Sequence, residues 1–193
     1  MAEIKFNPKK LAKLNNPARL VSQNPDVFWP LLKLDDPQLI FDIGCGTGFF
    51  SVEFLKRAPN AKVIGLDIAE VMLQWIEENR PEFKQGKLVT LLMPEDKLPL
   101  DPATGDLATM INLHHELHNP AGLLGEIRIA LKPGGTLMIL DWKAKETASG
   151  PPIEIRISQE TVFAQLTEAG FEELTGHEVF EDFFLITAKR PKA

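Results

Sequence analysis

Asp42 sits two residues ahead of three alternating glycines, Gly44, Gly46 and Gly48, in the run Leu39-Ile40-Phe41-Asp42-Ile43-Gly44-Cys45-Gly46-Thr47-Gly48. A second apolar run, Lys62-Val63-Ile64-Gly65-Leu66-Asp67, ends on another acid nineteen residues past Gly48. Apolar strand, glycine turn and a later strand-terminal carboxylate describe a nucleotide-like pocket at the carboxyl edge of a parallel sheet. Asp67 offers two oxygens to the 2′ and 3′ hydroxyls of a ribose. Asp42 interrupts an otherwise apolar strand, where a carboxylate is costly to bury without a partner. A ligand ammonium, met directly or through water, would supply one. The glycines admit positive φ and let a ligand approach the backbone. The first turn of the following helix offers free N–H groups to a carboxylate or other polar atom. A zwitterionic amino-acid tail needs both kinds of group, and NAD does not.

A second constellation follows residues 107–111, where Asn112-Leu113-His114-His115-Glu116-Leu117-His118 holds three of the four histidines in the chain. Histidine titrates near neutral pH, so His114 or His115 is a candidate general base; pocket shaping is the competing role. His114 and His118 could share a helical face while Glu116 points elsewhere, a poor arrangement for a metal, and no metal is expected. Asp141 and Trp142 close another apolar run on the same edge, Asp141 orienting an acceptor or capping the turn.

The elements that carry these residues alternate. Asn24-Pro25-Asp26 opens a helix reaching residue 34, and strands are read at 39–43, 61–67, 87–93, 107–111 and 136–140. Helices follow the glycines up to Pro59, continue from Ile68 through Met72, Trp75 and Ile76 to Pro81, and start again at Asn119-Pro120. Ser158 caps a last helix closed by Gly170, and two strands follow near 171–176 and 183–189 as an antiparallel edge hairpin. Strands apolar at nearly every position are buried on both faces, so the fold is an open α/β sheet with helical crossovers.

The pattern D-x-G-x-G-x-G departs from the dinucleotide fingerprint, which wants a third glycine where this chain has Phe49. Here the chain resembles the class I S-adenosylmethionine-dependent methyltransferases. The resemblance continues over about 100 residues: residues 93–100, with Pro94 where many relatives place an adenine-binding acid, so that Glu95 or Asp96 substitutes or only the backbone binds; residues 106–112; and Arg128-Ile129-Ala130-Leu131-Lys132-Pro133-Gly134-Gly135. It implies a three-layer Rossmann-like sandwich around a mostly parallel seven-stranded sheet of order 3-2-1-4-5-7-6, with an antiparallel C-terminal edge strand. Residues 1–37 become an N-terminal helical cap, 38–142 the S-adenosylmethionine-binding core, 143–157 an acceptor-side loop and 158–193 a C-terminal helix and edge hairpin. Asp42, Gly44, Cys45, Gly46, Gly48, Asp67, Ile68, Met72, Glu95, Asp96 and Asn112 are the expected cofactor contacts, Ile68 and Met72 covering the adenine or simply packing in the core. The expected activity is methyl transfer by in-line displacement, S-adenosylhomocysteine being the product. A non-catalytic S-adenosylmethionine-binding protein and an NAD-dependent oxidoreductase are the alternatives. The narrower likeness is to small UbiE-like enzymes with quinone, arsenite or metabolite acceptors; lone Cys45 cannot supply the thiol chemistry of an arsenite enzyme.

Composition agrees with a single domain: 193 residues, 44% hydrophobic and 25% charged. A net charge of −6 leaves no basic stripe for nucleic acid, and no apolar run approaches a membrane span. No signal peptide is evident, and one cysteine fits a reducing compartment, so a cytoplasmic monomer or homodimer acting on a small-molecule acceptor is expected. Lys5, Lys9, Lys10, Lys13 and Arg19 face only Glu3 in the first twenty residues. They form a solvated terminal helix or a segment that closes over an anionic ligand.

Overall fold

The computed structural model describes residues 8–192, with side chains from Leu11 onward; Lys5 and the side chains of Lys9 and Lys10 lie outside the described residues. Seven strands form one sheet in the order β3-β2-β1-β4-β5-β7-β6. They are β1 (Leu39–Ile43), β2 (Lys62–Asp67), β3 (Leu88–Leu92), β4 (Gly105–Ile111), β5 (Leu131–Trp142), β6 (Glu172–His177) and β7 (Phe183–Lys189). The first five run parallel, while β7 is antiparallel to both of its neighbours, β5 and β6. The last two strands pair as a hairpin, and β7, apolar along most of its length, is the one drawn inside the sheet.

Alternation along the strands divides the core. Met138 and Leu140 of β5 join Phe28, Leu32, Phe54, Ile76 and Leu185 on one face. Leu137 and Ile139 join Phe41, Ile43, Leu123, Ile127, Val162 and Leu166 on the other. The first face is covered by α3 (Pro25–Phe28), α4 (Phe49–Arg57) and α5 (Glu70–Asn79); the second by α7 (Pro120–Ala130) and α8 (Gln159–Glu168). Short helices α1 (Pro8–Leu14), α2 (Arg19–Ser22) and α6 (Pro81–Lys84) complete the set. Asn119 accepts from Gly122 N and Ser158 from Thr161 N, so both expected N-caps are made.

Three local readings change. The helix expected to reach residue 34 is α-helical only to Phe28 and continues as a 3-10 turn, Trp29–Leu32. Pro30 has no N–H to donate four residues back, so the α ladder cannot pass it. The histidine segment is a 3-10 turn, His114–Glu116, rather than a helix, which removes the shared face considered for His114 and His118. β5 begins earlier than residue 136: Leu131 pairs with Gly105, and the register jumps before Thr136 meets Leu107. The Pro133-Gly134-Gly135 segment that stops α7 is absorbed in that irregularity.

Residues 143–157 contain no regular helix beyond one 3-10 turn, Ile153–Ile155. They are folded around a single guanidinium. Arg156 donates to the carbonyls of Lys143, Lys145, Ser149 and Pro151 and to Thr147 Oγ1, at 2.7–3.3 Å. Its Cζ lies 5.0 Å from the Trp142 ring centroid, and that ring packs on Phe183 with centroids 4.2 Å apart. A planar fork with five N–H donors can satisfy these acceptors together; an ammonium cannot. Arg156→Lys should therefore leave the global thermal transition within a few degrees while limited proteolysis cuts the 143–157 segment several-fold faster. Unchanged cleavage would show that the loop does not depend on the fork.

Candidate functional site

Because β1, β2, β4 and β5 run parallel, their carboxyl ends deliver the glycine turn, Asp67, Asn112 and Asp141 to one crevice. The turn is held from below. Gly44 N and Cys45 N both donate to Leu66 O, at 2.8 and 3.0 Å. Gly44 has φ +68°, and a Cβ there would lie 2.8 Å from both Leu113 methyls, so a side chain would be strained and would displace Leu113. Asp67 fastens the rim: Oδ2 accepts from Gly46 N at 2.8 Å and Oδ1 from Ala69 N at 2.9 Å. Each carboxylate oxygen keeps an unused lone pair after these bonds. Gly48 caps α4 with no side-chain acceptor, leaving the Phe49 and Phe50 N–H groups unpaired among the described residues.

Asp42 is 2% exposed, and its partners come from the chain itself. Ser51 Oγ donates to Oδ2 at 2.5 Å and Thr109 Oγ1 to Oδ1 at 3.1 Å. The partner that the sequence reading sought in a ligand ammonium is thus provided by two hydroxyls. Burial pushes the Asp42 pKa up to about 6 against those two bonds and the charge of Arg19, with Asp67 adding to the rise. Cys45 points into the interior, its Sγ 3.0 Å from where a Gly65 Cβ would lie, and burial pushes its thiol pKa well up. Only its backbone is free to line the crevice.

The other expected contacts divide. Ile68 is 62% exposed at the end of β2, whereas Met72 is 7% exposed and packed. Glu95 hydrogen-bonds His118, and Asp96 accepts from Asn119 Nδ2 at 3.3 Å. Both acids thereby tie the segment after β3 to the one after β4. Asn112, in a left-handed conformation at φ +56°, exchanges amide hydrogen bonds with Gln23, at 2.8 and 3.2 Å.

The two candidate bases are separated by the 3-10 turn. His114 is 2% exposed, its Nε2 lies 2.8 Å from Gln165 Oε1, and its Nδ1 has no partner among the described residues. Burial lowers its pKa, more than the Gln165 bond and Asp141 raise it. His115 places Nδ1 2.7 Å from Asp141 Oδ1, while Asp141 Oδ2 accepts from the His115 N–H at 3.0 Å. Burial disfavours the His115 imidazolium, but the Asp141 bond and the charges of Asp141 and Glu116 outweigh it, and the pKa is raised. Asp141 accepts from Nδ1–H, which puts the lone pair on Nε2, where no hydrogen-bond partner is found among the described residues. Among those residues no group of three or more His, Cys, Asp or Glu side chains could hold a metal ion.

Sequence reasoning missed the N-terminal partners. Asn15 Oδ1 accepts from Thr47 Oγ1 at 3.1 Å and from Arg80 Nη2 at 2.7 Å, and Arg80 Nε donates to Thr47 O at 2.9 Å. Leu14 lies 3.6 Å from a Cβ built on Gly46. The one available signal was the basic character of the first twenty residues, and of that set the structure brings Arg19 to the crevice. Its Cζ lies 5.0 and 4.7 Å from the Phe49 and Phe50 ring centroids.

Comparisons with known proteins show the family. Residues 41–139 match the family model described as "Methyltransferase domain". A solved structure described as a SAM-dependent methyltransferase from Aquifex aeolicus superposes with TM-score 0.87 and 31% identity, covering 96% of this chain and 100% of its own. The demethylmenaquinone methyltransferase of Thermus thermophilus is 30% identical over 64% of this chain and 58% of its own length. A malonyl-[acyl-carrier protein] O-methyltransferase of Halalkalibacterium halodurans is 30% identical over 54% of this chain and 39% of its own. The chain thus spans between about two fifths and three fifths of these curated relatives. From the domain match and the full-length structural likeness together, the chain belongs to the S-adenosylmethionine-dependent methyltransferases.

Proposed function

We propose that this protein transfers the methyl group of S-adenosylmethionine to a small-molecule acceptor by in-line displacement. The observation that carries the reading is Asp67. It pins the glycine turn through Gly46 N and the start of α5 through Ala69 N, and keeps a lone pair on each oxygen for a ribose diol. Gly46 lets a ligand lie against the backbone while Gly44 makes room for Leu113, Ile68 offers an exposed apolar face beside Asp67 for a base, and Asn112 borders the tail. In this reading Glu95 and Asp96 act by holding the rim, while Met72 supports it from the core.

The bound cofactor supplies a methyl group on a sulfonium, already a strong electrophile. The chain's own task is to align an acceptor, exclude water and take a proton where one must leave. His115 Nε2 is the proton acceptor in this reading; Asp141 fixes the tautomer through Nδ1 and stabilises the imidazolium. His114, neutral and bonded to Gln165, shapes the wall. Curated relatives named for quinone and acyl-carrier substrates support an acceptor other than nucleic acid. No helix among the described residues is long and apolar enough to cross a membrane, and the reading places the enzyme in the cytoplasm.

Three measurements check these roles. Asp67→Ala should weaken S-adenosylhomocysteine binding by about 1–3 kcal/mol in calorimetry; wild-type affinity would remove Asp67 from the ribose site. Asp42 binds its proton more tightly folded, at about 6, than exposed, at 3.8. Its stabilising contribution is therefore complete below pH 3.8 and lost as pH rises through 6, leaving a charged carboxylate that costs about 2–4 kcal/mol at neutral pH. Asp42→Asn should flatten the fall in stability between pH 4 and 6 and melt no lower than wild type at pH 7.5; an unchanged slope would mean that another group titrates. In a screen of phenol and enol acceptors, His115→Gln should lower turnover about 10²- to 10⁴-fold and erase an acid limb lying above the usual histidine range. A full acid limb in His115→Gln that disappears in His114→Gln would transfer the role to His114.

A further inference from the structure

A cavity of about 210 Å³ lies at the opposite edge of the sheet from the crevice, where β1, β4 and β5 begin and β7 ends. From Asp106, near the start of β4, to Asn112, just past its end, a rise of about 3.3 Å per residue puts the two sites roughly 20 Å apart. A volume below the roughly 300–1,000 Å³ of small-molecule pockets suits an ion-sized group. The walls are charged. Lys33, Lys132 and Lys189 line the cavity with Asp35 and Asp106, and Lys192 stands beside it, its Cε 3.4 Å from where a Gly134 Cβ would lie. One of these ammonium groups is answered: Lys132 Nζ donates to Asp106 Oδ1 at 2.5 Å, while Oδ2 accepts from the Gln38 and Leu39 N–H groups. Lys33, Lys189 and Lys192 have no carboxylate within ion-pair distance among the described residues. With a net charge of −6 the chain as a whole repels anions, so this concentration of cations is local.

Lys189 shows what such a cavity wants. It is half-buried, and its Nζ lies 2.6 Å from Oγ1 of Thr136, which is 1% exposed. An ammonium only donates, so Thr136 accepts, and its own O–H proton finds no acceptor among the described residues. The two other Lys189 protons find none there either. Burial lowers the Lys189 pKa; Glu173 resists the fall, and Lys192 and Lys33 add to it. A half-desolvated cation among other cations, beside a buried hydroxyl with an unclaimed proton, is costly until a negative acceptor completes it. We propose that this cavity binds a phosphate-type oxyanion, with Lys189 and Lys33 supplying the charge and Thr136 a neutral O–H donor. One small group with several acceptor oxygens can meet donors from β5, β7 and the left-handed turn at Lys33 together. The anion then ties the entry to β1 to the start of β5 and the end of β7, and braces the sheet at the edge remote from methyl transfer. Free phosphate and the phosphate of a small monoester share this chemistry.

Calorimetry on the full chain separates the two sources, with inorganic phosphate in one arm, glycerol 3-phosphate in the other and chloride holding the ionic strength constant. The wild type should bind one equivalent of anion; a tighter monoester assigns the site to a phosphorylated metabolite, a tighter phosphate to the free ion. Lys189→Met should weaken the better ligand about tenfold or more, and Lys33→Met, at an exposed position outside the core, several-fold. Lys84→Met, at an exposed lysine of α6 away from the cavity, should stay within about twofold. Thermal melts without phosphate check that each variant is folded, and phosphate should raise the transition of the wild type more than that of Lys189→Met. No saturable binding of either anion by the wild type would overturn the assignment. So would undiminished binding in both cavity variants, or equal losses in all three, which is the signature of bulk charge.

Discussion

The structure depends on one carboxylate holding two backbone amides that belong to different strand ends. Asp67 terminates β2, yet its oxygens accept from Gly46, in the turn after β1, and from Ala69, just before α5. Left-handed turns of glycine have little conformational preference of their own, so an external anchor decides where the turn sits. A charge-assisted bond to each amide provides that anchor without occupying both lone pairs. The crevice is therefore preorganised by the residue that, in the function proposed, also offers its remaining acceptor capacity to a sugar, so that turn geometry and ligand recognition would rest on the same carboxylate.

Around that anchor the chain accepts local costs that packing alone would not explain. Asp42 is a carboxylate at 2% exposure, satisfied by Ser51 and Thr109 but still raised by burial. His114 leaves Nδ1 buried and unpaired, and Asn112 adopts φ +56° to meet Gln23. Each is a departure of the kind that concentrates at functional sites, where the surrounding core over-determines an unfavourable conformation. That core is extensive: Phe28 and Phe54 are fully buried and meet edge-on at 6.4 Å, and truncating such a ring costs roughly 3–5 kcal/mol. Two apolar layers of this quality can carry a few polar misfits at the rim. The 143–157 segment follows a different logic, since Arg156 holds it together with hydrogen bonds instead of burial.

What the sequence revealed and what it hid separate along a physical line. β1 at 39–43, the strand-terminal acids and the caps at Asn119 and Ser158 were legible, because each is written in local periodicity, in a capping residue or in a motif of fixed spacing, whereas the strand order came from the family resemblance alone. The pairing of His115 with Asp141 was half legible: both ends of the bond were named, but not their contact across 26 residues. Gln23 and Asn112, 89 residues apart, carry no local signal at all, and neither do the hydroxyls of Ser51 and Thr109 beneath Asp42. The reading of Asp42 went astray there, because a buried acid announces that a partner exists without saying whose. The helix drawn through Pro30 failed for a simpler reason, the missing amide of a proline inside an apolar run.

A crystal structure of the chain with S-adenosylhomocysteine tests the central claim most directly. The account predicts the ribose diol on the two Asp67 oxygens, with the Gly46 and Ala69 amides still bonded to that carboxylate and the glycine turn unmoved. A nucleoside bound elsewhere, or one whose diol leaves Asp67 untouched while the turn rearranges to receive it, would contradict the account.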